Sequence, residues 1–369
     1  MTRPFAATLL VFCFCWTFTN AQDLRTELRK AVQASNQPTK VEPNTADPKP
    51  AKADPKAAAP KAEANQKKAA PAKKAPPERP KPTIENYKYG NDSERQVFDF
   101  WQAKSDKPTP VMVYIHGGGW VNGDKTSYGT TAIKPYLDAG ISVASVNYRF
   151  INQAMEQKVE PPVKACLHDA ARAIQTIRSK AKEWNIDPKR IAASGGSAGA
   201  CTSLWLAMHD DLADPKSSDP IARESTRLTC AAVEGAQTSL DPKELREWMP
   251  NITYGAHAFG FRGKGTKEKP EFELLIENRE KVLPWIKEYS PIELVSSDDP
   301  PIFLNYGSYD VEAVIGEKQK DATHSAIYGV KLQERLKGAN VEAILSTKLH
   351  PDTKYGSPSK FVISKLQAK

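Results

Sequence analysis

The chain has 369 residues, 26% of them charged and 40% hydrophobic, with a formal net charge of +8. Residues 38–82 hold eleven Lys/Arg against five Asp/Glu, the first 37 residues carry a further +2, and the remaining 287 are formally neutral. That neutrality removes the electrostatic ground for a nucleic-acid surface on the folded part, while its length suits one domain with a large core.

Residues 1–21 read as an export signal. Met1-Thr2-Arg3 is a short positive start, Phe5 to Phe18 is an apolar core too short to span a bilayer comfortably, and Thr19-Asn20-Ala21 offers small residues for cleavage before Gln22. A cleaved signal implies a secreted or periplasmic protein; the alternative is an uncleaved membrane anchor. Phe12 before Cys13 and Phe14 before Cys15 disfavour a lipid-modified cysteine. Residues 22–82 are expected to be a disordered tether, since 38–82 carry eleven prolines with Lys and Ala and have nothing to bury. The tether has the charge for weak contact with anionic envelope polymers, although a solvating spacer accounts for the same composition.

The folded domain is expected over residues 83–369, globular from Tyr87 onward. Val97–Trp101 and Val111–Ile115 read as early strands, and the second runs directly into His116-Gly117-Gly118-Gly119-Trp120. Successive glycines let backbone N–H groups turn toward a ligand, which in acyl transfer is the negative oxygen of a tetrahedral intermediate. Ile141–Val146 predicts the next strand, and Pro162–Lys182 a helix with Val163, Leu167, Ala170, Ile174 and Ile177 on one face. A further buried strand, Arg190–Ser194, breaks into Gly195-Gly196-Ser197-Ala198-Gly199 and then a helical stretch through His209. This G-x-S-x-G lifts a serine hydroxyl above a sheet at a helix N-terminus, where developing negative charge is favoured. Leu228–Val233 and Ile302–Tyr306 predict later strands. Between them, residues 240–290 lack strand patterning and gather Trp248, Tyr254, Phe259, Phe261, Trp285 and Tyr289, as expected of a lid-like insertion with two or three aromatics facing a substrate. Val341–Leu345 predicts the last strand, after a helical pattern of Ile327, Val330, Leu332 and Leu336 that His324 opens.

Taken together, HGGGW ahead of GxSxG, with Val146–Arg149 (VNYR), Asp187–Ile191 (DPKRI) and Pro300-Pro301, resembles the α/β-hydrolase carboxylesterases of the hormone-sensitive-lipase and acetyl/feruloyl-esterase kind. The resemblance covers roughly residues 87–369. It implies a mainly parallel central sheet with helices on both faces, a serine nucleophile at Ser197, and an oxyanion hole from Gly118, Gly119 and Ala198. It also implies the chain order serine, acid, histidine. Asp310, after the strand 302–306 through a glycine turn, is then the expected acid, and His350, on the loop after the last strand, the expected base; Asp169 precedes the serine and reads as structural. His324, at a helix start, is the alternative base, and if not the base is expected to line the mouth of the site or to be an ordinary helix-start residue. Ala200, where many relatives have another glycine, and Leu349-His350-Pro351, without flanking glycine, depart from the family pattern.

The implied reaction is ester hydrolysis through an acyl-enzyme without metal or organic cofactor. His116 is expected to hold the glycine loop, and His168, His209 and His257 lack metal-ligand spacing. The mature chain keeps three cysteines, Cys166, Cys201 and Cys230, an odd number that leaves at least one thiol free. The expected substrate is a small-molecule or polysaccharide-linked ester. A peptidase or formamidase would use the same triad, and a non-catalytic binding protein could keep the fold.

Overall fold

The structure, a computed structural model, describes residues 79–307 and 312–368. Residues 1–78, on which the expected export signal and most of the expected tether fall, lie outside the described residues, as does Asp310, the expected acid. Among the described residues no helix is long and apolar enough to cross a membrane.

Eight strands form one sheet: β1 (Ile84–Lys88), β2 (Val97–Trp101), β3 (Thr109–Ile115), β4 (Ser142–Val146), β5 (Ile186–Gly196), β6 (Cys230–Glu234), β7 (Ile302–Tyr306) and β8 (Ala343–Thr347). Their order is β1-β2-β4-β3-β5-β6-β7-β8. β1 pairs antiparallel with β2, and β2 with β4; every later pairing is parallel. Parallel strands covered on both faces need apolar residues at successive positions, and β4, Ser-Val-Ala-Ser-Val, is buried throughout.

Alternation along the strands divides the core in two. Val111, Val113 and Ile115 point to a face covered by the helices Pro162–Ser179 and Ala198–Met208, whereas Met112, Val143 and Phe303 point to one covered by Thr130–Asp138 and Pro358–Gln367. The helix Ala198–Met208 is buried on all sides, so the turn preceding it rests on a rigid base. Asp169 is structural, as expected: its carboxylate accepts from Arg149 Nη2 at 2.7 Å, Arg149 N at 2.9 Å and Gln96 Nε2 at 2.8 Å.

The folded region begins earlier than residue 83. Arg79 reaches Asp99 at 3.1 Å and the carbonyls of Lys125 and Tyr128, and its guanidinium lies 4.5 Å from the Trp101 ring centre. Trp101 Nε1 donates to Pro80 O at 2.7 Å. Asp99 is buried and also holds Lys125 Nζ at 2.7 Å, so Arg79 is the second cation of a buried cluster, which no low-complexity reading of residues 22–82 anticipates.

Between β6 and β7 the insertion is helical, with Pro242–Trp248, Glu271–Glu277 and Arg279–Tyr289 and a short 3-10 turn at Ala256–Phe259. Trp248, Phe259 and Tyr289 are buried in the core, Phe261 and Trp285 are partly buried against it, and Tyr254 lies beside the glycine loop, packed on Trp120.

Candidate active site

β5 leads directly into Ser197, whose φ of 51° and ψ of −121° place a non-glycine residue in a region few side chains tolerate. The strain is held from several sides. Ser197 N donates to Glu234 O at 2.9 Å, and Cys201 N returns to Ser197 O at 2.9 Å. The flanking glycines are demanded by contact: a Cβ on Gly195 would lie 2.5 Å from Ile115 O, and one on Gly199 would overlap the same carbonyl oxygen. Strand β3 therefore passes too close to the turn for any side chain at either position.

The glycine loop packs on this turn. A Cβ on Gly117 would meet Gly196 O at 2.6 Å and Ser197 Cβ at 3.4 Å. Gly118 and Gly119 have φ of 106° and 61°, and Gly118 O accepts from Val121 N and Asn122 N, closing a tight turn. His116 holds it as expected. Its Nδ1 lies 2.7 Å from Gly117 O and its Nε2 3.3 Å from Arg95 Nη2, an arrangement only a neutral imidazole with its proton on Nδ1 satisfies. Burial lowers its pKa to about 4, in keeping with that neutral form. The ring stacks on Tyr148, whose hydroxyl donates to His116 O.

The histidine that meets the serine is His324. Ser197 Oγ lies 2.9 Å from His324 Nε2, and His324 Nδ1 lies 2.8 Å from Asp321 Oδ2. With Nδ1–H donating to the carboxylate, Nε2 is free to accept the hydrogen bond of the serine hydroxyl. Asp321 Oδ1 also accepts the backbone N–H groups of Thr323 and His324, which fixes the carboxylate within one turn of the imidazole. Gln237 Nε2 donates to Thr323 O at 2.6 Å, and Gly235, at φ 55°, leaves its Cβ position 3.5 Å from the His324 ring. These two residues seat the turn on the end of β6. The serine opens on a cavity of about 450 Å³ lined by Tyr114, Glu234, Asn305 and His324 among others.

The expectation of His350 as base is corrected. His350 O accepts from Thr347 N and His350 N donates to Thr347 Oγ1, so the chain turns tightly straight after β8. The exposed ring pairs with exposed Glu312 at 2.8 Å, which fills Nε2 and leaves the serine to His324. The signal in the sequence was Asp321-Ala-Thr-His324 just ahead of a helix: an Asp that caps its own turn also meets a histidine three residues on. Cys166, Cys201 and Cys230 are buried free thiols, as packing alone would have them.

The sequence profile of the family described as BD-FAE matches residues 99–325, a span that includes Ser197, Asp321 and His324 and stops short of His350. Esterase LipC of Mycobacterium tuberculosis is 26% identical over 60% of this chain and 50% of its own, and carboxylesterase NlhH of the same organism 34% identical over 35% and 39%. The chain thus spans about half or less of the length of these curated relatives. Among solved structures, an acetyl ester-xyloside bifunctional hydrolase from Caldicellulosiruptor lactoaceticus superposes with a TM-score of 0.50 at 26% identity, covering 69% of this chain and 77% of that one. A carbohydrate esterase from gut microbiota, in truncated form, shares the fold with a TM-score of 0.55 at 21% identity, over 77% and 96%. With more than half its length matched, the chain belongs to the BD-FAE family of α/β-hydrolases.

Proposed function

We propose that the chain is a serine carboxylesterase with Ser197 as nucleophile, His324 as general base and Asp321 as the carboxylate that orients it. The observation that carries this is the continuous pair of hydrogen bonds from Ser197 Oγ through His324 to Asp321. His324 Nε2 takes the hydroxyl proton as Oγ bonds to the ester carbonyl carbon, and the carbonyl electron pair moves onto its oxygen. Backbone N–H groups of Gly118, Gly119 and Ala198 are the proposed donors to that oxygen. Collapse of the intermediate breaks the bond to the alcohol, which leaves with the proton from His324. Water then attacks the acyl-serine by the same route, giving the carboxylic acid and restoring Ser197.

For the substrate we propose short acyl esters of carbohydrate, acetyl before feruloyl. Support comes from the cavity beside Ser197, walled by Glu234, Asn305 and Tyr114, which offers hydroxyl groups of an alcohol several partners, and from the acetyl ester-xyloside hydrolase among its structural relatives. Export through residues 1–21 and a spacer ahead of the domain belong to the same proposal and fit an extracellular polymer substrate. The deciding experiment compares wild type with Ser197→Ala on p-nitrophenyl acetate, acetylated xylan and feruloyl esters. Wild type should release acetate from the first two, and the variant should fall by on the order of a million-fold. Retention of a tenth of the turnover in Ser197→Ala would sink the assignment.

A further inference from the structure

The stretch that carries Asp321 and His324 has little packing of its own to hold it. Residues 312–326 contain no helix or strand, and most side chains from 312 to 321 are exposed, Val314 and Ile315 among them. Of residues 312–325, Ala313 and Ala322 reach the apolar core, with one methyl each. Fixing such a segment costs conformational entropy that so little burial does not offset, so its hydrogen bonds decide where it lies.

Asp321 and His324 form a closed unit. The carboxylate takes the imidazole N–H and the backbone N–H groups of Thr323 and His324, all within one turn. These contacts fix the acid to the base but leave open where the pair stands relative to Ser197. That distance is set by holds from outside the turn. One is Gln237, beyond the end of β6, which donates to Thr323 O. The other comes from the insertion: Asn251 Nδ2 donates to Gln319 O at 2.7 Å, and Asn251 Oδ1 accepts from Gln319 N at 2.9 Å. A single amide thus satisfies both backbone groups of a residue two before Asp321, as a neighbouring strand would. Gln319 passes the hold on. Its Nε2 donates to Val314 O at 3.1 Å and Glu317 O at 3.2 Å, and its Oε1 accepts from Ser325 Oγ at 3.1 Å. Ser325 is buried directly after His324, and its hydroxyl accepts from Ile327 N at the start of the helix Ile327–Gly338. Gly316 N, donating to Trp248 O at 2.9 Å, adds a second tie to the insertion.

We propose that Asn251 is a positioning residue: through Gln319 and Ser325 it holds His324 at hydrogen-bond distance from Ser197, so the insertion helps to assemble the relay. This rests on the esterase reading of Ser197 and deepens it. Asn251 is not among the residues lining the cavity at Ser197, so its effect falls on turnover and not on substrate binding.

A misplacement of about 1 Å costs on the order of a hundred-fold in rate. In Asn251→Ala, assayed on p-nitrophenyl acetate well below its melting temperature, kcat should fall about ten-fold or more while KM stays within about three-fold. Asn251 is exposed, so the variant should fold, with Tm within about five degrees of wild type. Gln319→Ala, which cuts the bridge to Ser325, should show the same split, and it decides by the same limits if Asn251→Ala does not fold. A merely structural asparagine is told apart by combining Asn251→Ala with His324→Ala. Because Asn251 acts through the imidazole, its loss in a chain already lacking that ring should leave the residual rate, read with enzyme in excess over ester, within about two-fold. A kcat loss under ten-fold, a loss confined to KM, or an undiminished loss in the His324→Ala background overturns the positioning role. Labelling by a fluorophosphonate keeps the two readings apart. A wild type that neither labels nor hydrolyses defeats the esterase assignment, whereas a labelled wild type matched in kcat by Asn251→Ala defeats only the positioning role.

Discussion

Replacing His324 by Ala removes both hydrogen bonds of the proposed relay at once, the one at 2.9 Å to Ser197 and the one at 2.8 Å to Asp321. The elbow does not depend on the imidazole, since Ser197 is held by Glu234 O and by the close approach of β3 to Gly195 and Gly199. The ring is about one-third exposed, so its loss leaves little cavity and the fold should persist. What is lost is the proton acceptor, and removing the serine or the histidine of such a unit costs on the order of a million-fold, about 8 kcal/mol at 1.36 kcal/mol per decade. Asp321→Asn should cost less, on the order of ten-thousand-fold, because the serine–histidine contact survives. His350→Ala should stay within about three-fold of wild type, because its pair with Glu312 is 71% and 65% exposed and such surface pairs contribute under about 1 kcal/mol. The assay is kcat on p-nitrophenyl acetate at saturation, with melting temperatures for all three variants. A fall of a hundred-fold or more in folded His350→Ala, with His324→Ala near wild type, would refute the assignment of the base.

Stability should fall below neutral pH: His116 and His257 are held at about 4 and His168 at about 3 by burial, under the ordinary 6.5, so the unfolded chain binds more protons as pH drops from about 6.5 to 4. Asp299, raised to about 6 by burial, and Glu244, also raised by burial, work in the opposite sense, two groups against three. Urea unfolding at pH 7 and pH 5 measures the balance, and equal or greater stability at pH 5 would contradict it. Asp169→Ala leaves Arg149 without its buried partner and should cost about 3–5 kcal/mol, read as a fall in Tm; a change under 1 kcal/mol would show the pair to be dispensable. A chain beginning at residue 83 should melt lower than one beginning at residue 74, because it lacks Arg79 on Asp99 and Trp101; Arg79→Ala in the longer chain should reproduce the loss, and equal melting temperatures would rule the contact out as stabilising.

Most of the sheet was legible because parallel strands buried on both faces leave apolar runs that only a strand or a core helix explains. β2 and β7 run over the residues their pattern marks, Val97–Trp101 and Ile302–Tyr306. β1 was not legible: Ile-Glu-Asn-Tyr-Lys lies at a sheet edge, half of it facing water, and carries no such run. The elbow and glycine loop could be read because their glycines answer to local backbone contacts. For the base only the local pairing of Asp321 with His324 left a trace; that this turn meets the serine depends on the segment before the helix Ile327–Gly338 folding back over Gly235 and Gln237, a tertiary contact with no periodic signal. Position after the last strand pointed to His350, and the tight turn there overrides it. Tyr254 was legible only as one aromatic of six; its pairing with His257 over Gly119 follows from the 3-10 turn that the insertion makes.

The serine and its histidine stand 127 residues apart in the chain, whereas the histidine and its carboxylate stand three apart. The two halves of the relay therefore mature on different schedules. The elbow needs only β3, β5 and β6, while the Asp321–His324 turn must be delivered by the last third of the chain after a long loop has closed, and long closures come late. Turnover is then a clock for the end of folding: a refolding chain should bury its tryptophans and regain secondary structure first, and begin to hydrolyse ester only when that single turn docks on β6.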